Sequence, residues 1–285
     1  MFDRAVVAIN LTEVPVHILS CLGGARQLGV RDLILVQALN TRHVNRLHEQ
    51  LPRLSHEEME AQKSGLEALG FRARVADPPG LPHYEVPKLA RQLGAGLIIV
   101  FSTADSLLGD VFSGSVAYDI GNRSRIPVLV MKARMSEEQF EVVCPNMVAN
   151  IFHPTDFSSL AARAFEVLID LVRVSGSRVT LAHVHDQYRI APHLLARLPE
   201  FDRIDQERLE GLRRRLLEAG AAAVETRLSY GVPTQELLAL IGSEPHSLIV
   251  MGGQGRGFIG ELLLGSVSHF LMRRAPVPML LVPAG

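Results

Sequence analysis

The glycine-rich run MGGQGRGFIGELLLGSVS, Met251 to Ser268, holds the residue types in this chain best suited to chemistry. Five of the nine residues from Gly252 to Gly260 are glycine, more than an ordinary turn needs. Without a Cβ, glycine lets successive backbone N–H groups converge on one anion. The run follows the apolar segment HSLIVM and precedes a helix expected to open near Ser266. Such a helix start adds unpaired amides and the positive end of its dipole. Ser266 and Ser268 bring hydroxyls, and Arg256 brings a positive charge. Together these residues describe a phosphate cradle. Their structural alternatives are helix capping for Ser266 and a solvated loop charge for Arg256.

Two common phosphate motifs fail on their own terms. A Walker A loop needs Lys after its second glycine, and Glu261 follows Gly260 here. The string Gly255 to Gly260 formally fits GxGxxG, but no Asp or Glu follows Glu261 to take a ribose, and the run lies late in its domain rather than after the first strand. Other chemistries find less support. No GxSxG elbow is present. Among eleven histidines, His183 and His185 share one strand face and His153 is expected on a neighbouring strand. No cysteine pair or HExxH completes a zinc set, so we expect no metal site there. His43, His48, His56 and His83 are expected on the surface. No residue near the loop is named as a base for water, so no catalytic residue is assigned.

The elements that must position the loop occur twice. GLIIVFSTADSLLGDVFSGSVAYDIGNRSRIPVLVM, Gly96 to Met131, matches SLIVMGGQGRGFIGELLLGSVSHFLMRRAPVPMLLV, Ser247 to Val282. Ile99 pairs with Ile249, 150 residues on, whereas Gly114-Ser115 and Pro127 pair with Gly265-Ser266 and Pro278 at 151, so the loops differ by one residue. Asn10 falls opposite Asp156. We therefore expect one domain over 1–132, a charged linker over 133–146 and a second domain over 147–285. In the second half strands are expected near Val148–Pro154, Arg178–His185, Ala223–Ser229, Ser247–Met251 and Pro278–Val282. Helical spacing spans Phe157–Val172 and Asp205–Ala219, where Leu209, Leu212 and Leu216 share a face. Pro233 opens a further helix. Alternating strands and helices predict an α/β class: two tandem doubly wound domains, each a five-stranded mainly parallel sheet covered by helices on both faces. Ligands of such sheets bind beyond the carboxyl ends of the strands.

Composition sets the outer bounds. The net charge is -1, with 47% hydrophobic and 21% charged residues, so no clustered positive field points to nucleic acid or an anionic membrane. No apolar run is long enough to cross a bilayer, and the N-terminus lacks the pattern of a signal peptide. The two cysteines, Cys21 and Cys144, fit buried thiols in a reducing cytoplasm.

The glycine run also fits G-x2-G-x9-G-[ST] through Gly252, Gly255, Gly265 and Ser266, and here the chain resembles the universal stress protein family. PTDFS at Pro154 to Ser158, LAHV at Leu181 to Val184 and GSVSHFLMRRAPVPMLLV resemble that family's first strand end, second strand and closing helix and strand. The resemblance implies an adenine-nucleotide site, for ATP, ADP or AMP and with Mg²⁺ carried through the phosphates. Pro154, Thr155, Asp156 and Val184 would surround the adenosine end. Met251, Gly252, Gly255, Arg256, Gly265, Ser266, Val267 and Ser268 would hold ribose and phosphates. Asp156 can also serve as a helix N-cap for Phe157 onward, and both roles can hold together. The first half departs from the pattern. Ser102 and Asp105 replace the two loop glycines, and Asp105 and Asp110 bring negative charge, which implies a degenerate site. The family further implies a cytoplasmic stress-response role, domain pairing through Pro127–Met131 and Pro278–Val282, and a homodimer. A weak ATP hydrolase and a nucleotide-free scaffold are the alternatives.

Overall fold

Aliphatic and β-branched runs such as RAVVAI and LIVMG become strands buried on both faces, as the strands of a parallel sheet must be. The computed structural model describes residues 2–9, 16–37, 56–103, 115–135, 140–142, 146–188, 197–253 and 264–284. Contacts divide the chain into two units, Met1–Pro145 and Asn146–Ala284.

The first unit contains β1 (Arg4–Ile9), a 3₁₀ helix (Val16–Leu28), β2 (Asp32–Gln37), α1 (His56–Ala68), β3 (Arg72–Ala76), α2 (Pro82–Gln92), β4 (Leu97–Thr103), α3 (Ser115–Arg123), β5 (Val128–Met135) and β6 (Phe140–Val142). Its parallel strands lie in the order β3-β2-β1-β4-β5, and β6 runs antiparallel to β5. The end of β5 and all of β6 thus occupy residues expected to form a linker. Cys21, buried in the 3₁₀ helix, is disulfide-bonded. This corrects the expectation of a free thiol and removes the cysteine-based argument for a reducing compartment. Cys144 lies outside the described residues, as do Asn10, His43, His48, Asp105, Asp110 and Gly114. His83 is buried beside Tyr84, 4.0 Å from Asp119, rather than on the surface.

The second unit repeats the plan with β7 (Asn150–Pro154), α4 (Ser159–Ser175), β8 (Arg178–Asp186), α5 (Leu198–Glu218), β9 (Ala223–Gly231), α6 (Pro233–Ser243), β10 (Leu248–Gly252), α7 (Ser266–Arg274) and β11 (Met279–Val282). All five strands are parallel, in the order β9-β8-β7-β10-β11. The order in both units matches the doubly wound expectation. With right-handed crossovers, α4 and α5 cover one face of the sheet and α6 and α7 the other. The core is filled from both sides by residues such as Phe152, Phe165, Leu168, Leu237 and Leu271. Pro233 stands at the first position of α6 as expected. Among the described residues, no helix is long and apolar enough to cross a membrane.

Two boundaries differ from expectation for local reasons. α4 starts at Ser159, because Phe157 adopts the left-handed region (φ 58°) and Ser158 supplies the cap, its Oγ accepting from Ala161 N at 3.2 Å. Asp156 is therefore not the cap. α5 begins at Leu198, one and a half to two turns ahead of Asp205, helped by Pro199 in its first turn, where the missing N–H carries no penalty. α4 ends on Gly176 at φ 64°, the left-handed stop that glycine makes without strain.

Two features yield tests. His153 is fully buried on β7; its Nδ1–H donates to the Val250 carbonyl at 2.7 Å, and Nε2 is buried without a hydrogen-bond partner. Burial lowers its pKa from 6.5 to about 4, partly opposed by the Val250 bond. A base whose folded pKa is depressed keeps its full stabilising effect above the unfolded value and loses it as pH falls towards the folded one. Between pH 6.5 and 4 the chain should lose about 3 kcal/mol from this group. Urea unfolding across that range should show a slope that His153→Phe removes. Separately, a Cβ on Gly252 would lie 2.9 Å from Leu160 Cγ and 3.2 Å from the Leu160 carbonyl oxygen. Gly252→Ala should cost about 1–3 kcal/mol through overpacking against α4, read as a lowered Tm.

Candidate functional site

β7 and β10 are neighbours, yet the helices that follow them cover opposite faces. A crevice opens at their carboxyl ends, the place where open α/β sheets bind ligands. It holds a cleft of about 910 Å³, within the usual range for small-molecule sites. Pro154, Thr155, Asp156, Val184, Met251, Gly252, Gly265, Ser266, Val267 and Ser268 all line it. Gly255 and Arg256 lie outside the described residues. The remaining ten positions expected from sequence are thus brought to one cavity.

The β7 side is built by a tight turn. Thr155 N continues the ladder to Ala182 O at 2.8 Å. Thr155 Oγ1 then accepts from Phe157 N, and Asp156 Oδ1 from Ser158 N, both at 3.0 Å. These bonds offset the left-handed conformation of Phe157 and hold the Asp156 carboxylate beside the crevice. The Phe157 ring packs on His183, with centroids 4.7 Å apart, and the Arg208 guanidinium stacks over it at 5.3 Å.

The β10 side ends in Gly252 and Gly253, with a return at Leu264 and Gly265. Gly253 N donates to Val282 O, Gly265 N to Gly253 O and the buried Ser268 hydroxyl to Gly252 O, at 2.9, 2.8 and 3.0 Å. The Ser268 proton therefore ties α7 to β10, a structural duty that the sequence does not announce. Gly265 caps α7 in extended geometry with no side-chain hydrogen bond. Among the described residues, no side chain caps the first amides of α7, at Ser266, Val267 and Ser268 beside the cleft. That is the arrangement that receives an anion. Ser266 does not act as a cap.

A second group of polar side chains lines the same cleft. His183 and His185 project from one face of β8, with ring centroids 5.2 Å apart, and meet Asp205 of α5. His183 Nε2 lies 3.5 Å and His185 Nδ1 3.8 Å from Asp205 Oδ2, while Arg208 donates to Asp205 Oδ1 at 2.9 Å. His153 does not join them; it packs on Phe165 of α4. Sequence reasoning paired the two histidines and missed Asp205. The available signal was the helical stripe Leu209, Leu212 and Leu216: one turn earlier it reaches position 205, where a carboxylate lies buried on the inner face.

The comparisons with known proteins agree with this architecture. The family model described as the universal stress protein family matches residues 147–283. A universal stress protein of Thermus aquaticus is 33% identical over 147 residues, covering 48% of this chain and 99% of that protein. One from Methanocaldococcus jannaschii is 34% identical over 155 residues, covering 48% and 95%. These relatives match about half of the chain. The crystal structure of a universal stress protein from Archaeoglobus fulgidus aligns over 100% of both chains with a TM-score of 0.70 at 22% identity, a likeness of fold across both units. With nearly whole relatives matched at a third identity, the chain belongs to the universal stress protein family.

Proposed function

We propose that the second unit is an adenine-nucleotide binding module, taking ATP, ADP or AMP, and that occupancy regulates a stress response. The observation that carries this reading is the uncapped start of α7 opening on the same cleft as Asp156 and Val184. The amides of Ser266, Val267 and Ser268 suit phosphate, Gly255 completes the family motif in sequence, and Arg256 beside it brings a positive charge. Asp156, across the crevice at the end of β7, suits a ribose hydroxyl or the adenine amine. Val184 and Met251, both mostly buried, offer apolar surface to the base. Mg²⁺ would accompany the phosphates with few protein ligands. The first unit is read as a partner without a cradle, because Ser102 and Asp105 stand where the second has Gly252 and Gly255. Homodimer formation belongs to the same reading. We assign binding and not turnover.

Ser266 is exposed at the first position of α7. An aspartate there favours the helix dipole by about 0.3–1 kcal/mol yet repels phosphate. Ser266→Asp should therefore keep or raise Tm while weakening ATP at least tenfold in calorimetric titration. Mass spectrometry of nucleotide released from denatured wild-type protein should find about one adenine nucleotide per chain. No released nucleotide and no thermal shift with ATP would leave only a scaffold. Sustained phosphate release in the same sample would replace the module by a hydrolase.

A further inference from the structure

The His183–His185–Asp205 group is not used by the nucleotide reading, and its geometry poses an electrostatic problem. His183 Nδ1 lies 2.7 Å from the Thr155 carbonyl. A carbonyl only accepts, so Nδ1 carries the proton and a neutral ring turns the Nε2 lone pair towards Asp205 Oδ2, 3.5 Å away. His185 has a carboxylate at either end: Asp205 Oδ2 is 3.8 Å from Nδ1, and Asp202 Oδ1 is 3.1 Å from Nε2, although Nε2 is out of line for a hydrogen bond. His183, His185 and Asp205 are each more than nine-tenths buried. With Arg208 on the far oxygen of Asp205, two ring nitrogens face the near oxygen in a buried corner of the cleft, a set of donor atoms that a cation would hold together.

We propose that His183 Nε2, His185 Nδ1 and Asp205 Oδ2 bind a divalent transition-metal ion of the zinc type. Two imidazoles and one carboxylate form a donor set that suits Zn²⁺. Bonds of about 2.0–2.1 Å in a tetrahedron put neighbouring ligand atoms about 3.4 Å apart. The two edges to Asp205 Oδ2 measure 3.5 and 3.8 Å, and the three residues each bring a ligand atom within 4.8 Å of the others. Small side-chain movements complete the site. The outer contacts are also those that ligating groups require. The Thr155 carbonyl fixes the tautomer of His183, Asp202 stands behind His185, and Arg208 occupies the other oxygen of Asp205. All three ligands line the cleft, which leaves the fourth position to water or to a ligand atom. β8 is separated from β10 by β7 alone, so the ion would sit about two strand spacings, about 10 Å, from the β10 strand that leads to the phosphate cradle.

The site is independent of nucleotide, so its test uses untagged, nucleotide-free full chain. Zn²⁺ is titrated against a chromophoric chelator, and Co²⁺ is added as an optical probe of tetrahedral coordination. One ion per chain is expected, with visible Co²⁺ bands of tetrahedral intensity. His185→Gln and Asp205→Asn should each lower affinity at least a hundredfold while circular dichroism is unchanged. Asp202→Asn, which removes only the outer partner, should lower it about tenfold. Wild type that binds less than one ion, or equal affinity in wild type and both ligand variants, would overturn the proposal. So would NMR titration showing His183 or His185 protonated at neutral pH in the presence of Zn²⁺, since a proton would then be the occupant.

Discussion

The second unit depends on one topological constraint: adjacent parallel strands, β7 and β10, must send their helices to opposite faces of the sheet. The chain cannot fill the space between those departures with its own helices, so a crevice is left where both strands end. Everything else at the site follows from how each strand turns out of it. β7 turns through the PTDFS segment, in which two side-chain oxygens hold a left-handed phenylalanine. β10 stops in glycine because Leu160 of α4 lies too close for a Cβ at Gly252. The same glycine thus serves packing and the phosphate motif, and either requirement alone would select it.

The cleft is electrically polarised. Towards β10 and α7 it offers uncapped amides at the positive end of a helix dipole. Towards β8 and α5 it offers Asp186, Asp205 and two histidines, with Arg208 as counter-charge. The two ends of one cavity thus differ in electrical character, and Asp156 stands just past the end of the strand between them. A ligand with a phosphate at one end and a hydrogen-bonding or metal-ligating ring at the other matches that gradient in orientation.

Most of the fold was legible because parallel sheets leave a strong trace: strands buried on both faces read as continuous apolar runs, and the repeat supplied the order twice. Every second-unit strand lies within about two residues of its expected place. What was missed has a common cause, which is dependence on tertiary contact. Asp205 read only as the first residue of a helical pattern set by Leu209, Leu212 and Leu216; β8 beneath α5 makes it a buried partner of two histidines. Asp156 carried capping as a second role because Asp caps helices well, and the left-handed turn at Phe157 moved the cap to Ser158. The cysteine count suggested free thiols, whereas Cys21 is bridged. The cradle was legible because glycine spacing is itself a backbone statement, whereas the histidine–carboxylate group is assembled from two elements some twenty residues apart and leaves no motif.

Three hydrogen bonds join Gly252, Gly253, Gly265, Ser268 and Val282, and so tie together the two ends of the chain that flank residues 254–263. A connection whose two flanks are tied in this way can change length with little effect on the sheet, since loop-closure entropy grows only as the logarithm of length. The one-residue difference between the two repeats is thus a nearly neutral step for folding. After a duplication, one copy's loop can drift in length and charge while its strands and helices stay under selection for packing. A stem of this kind separates the inheritance of the scaffold from the inheritance of the ligand.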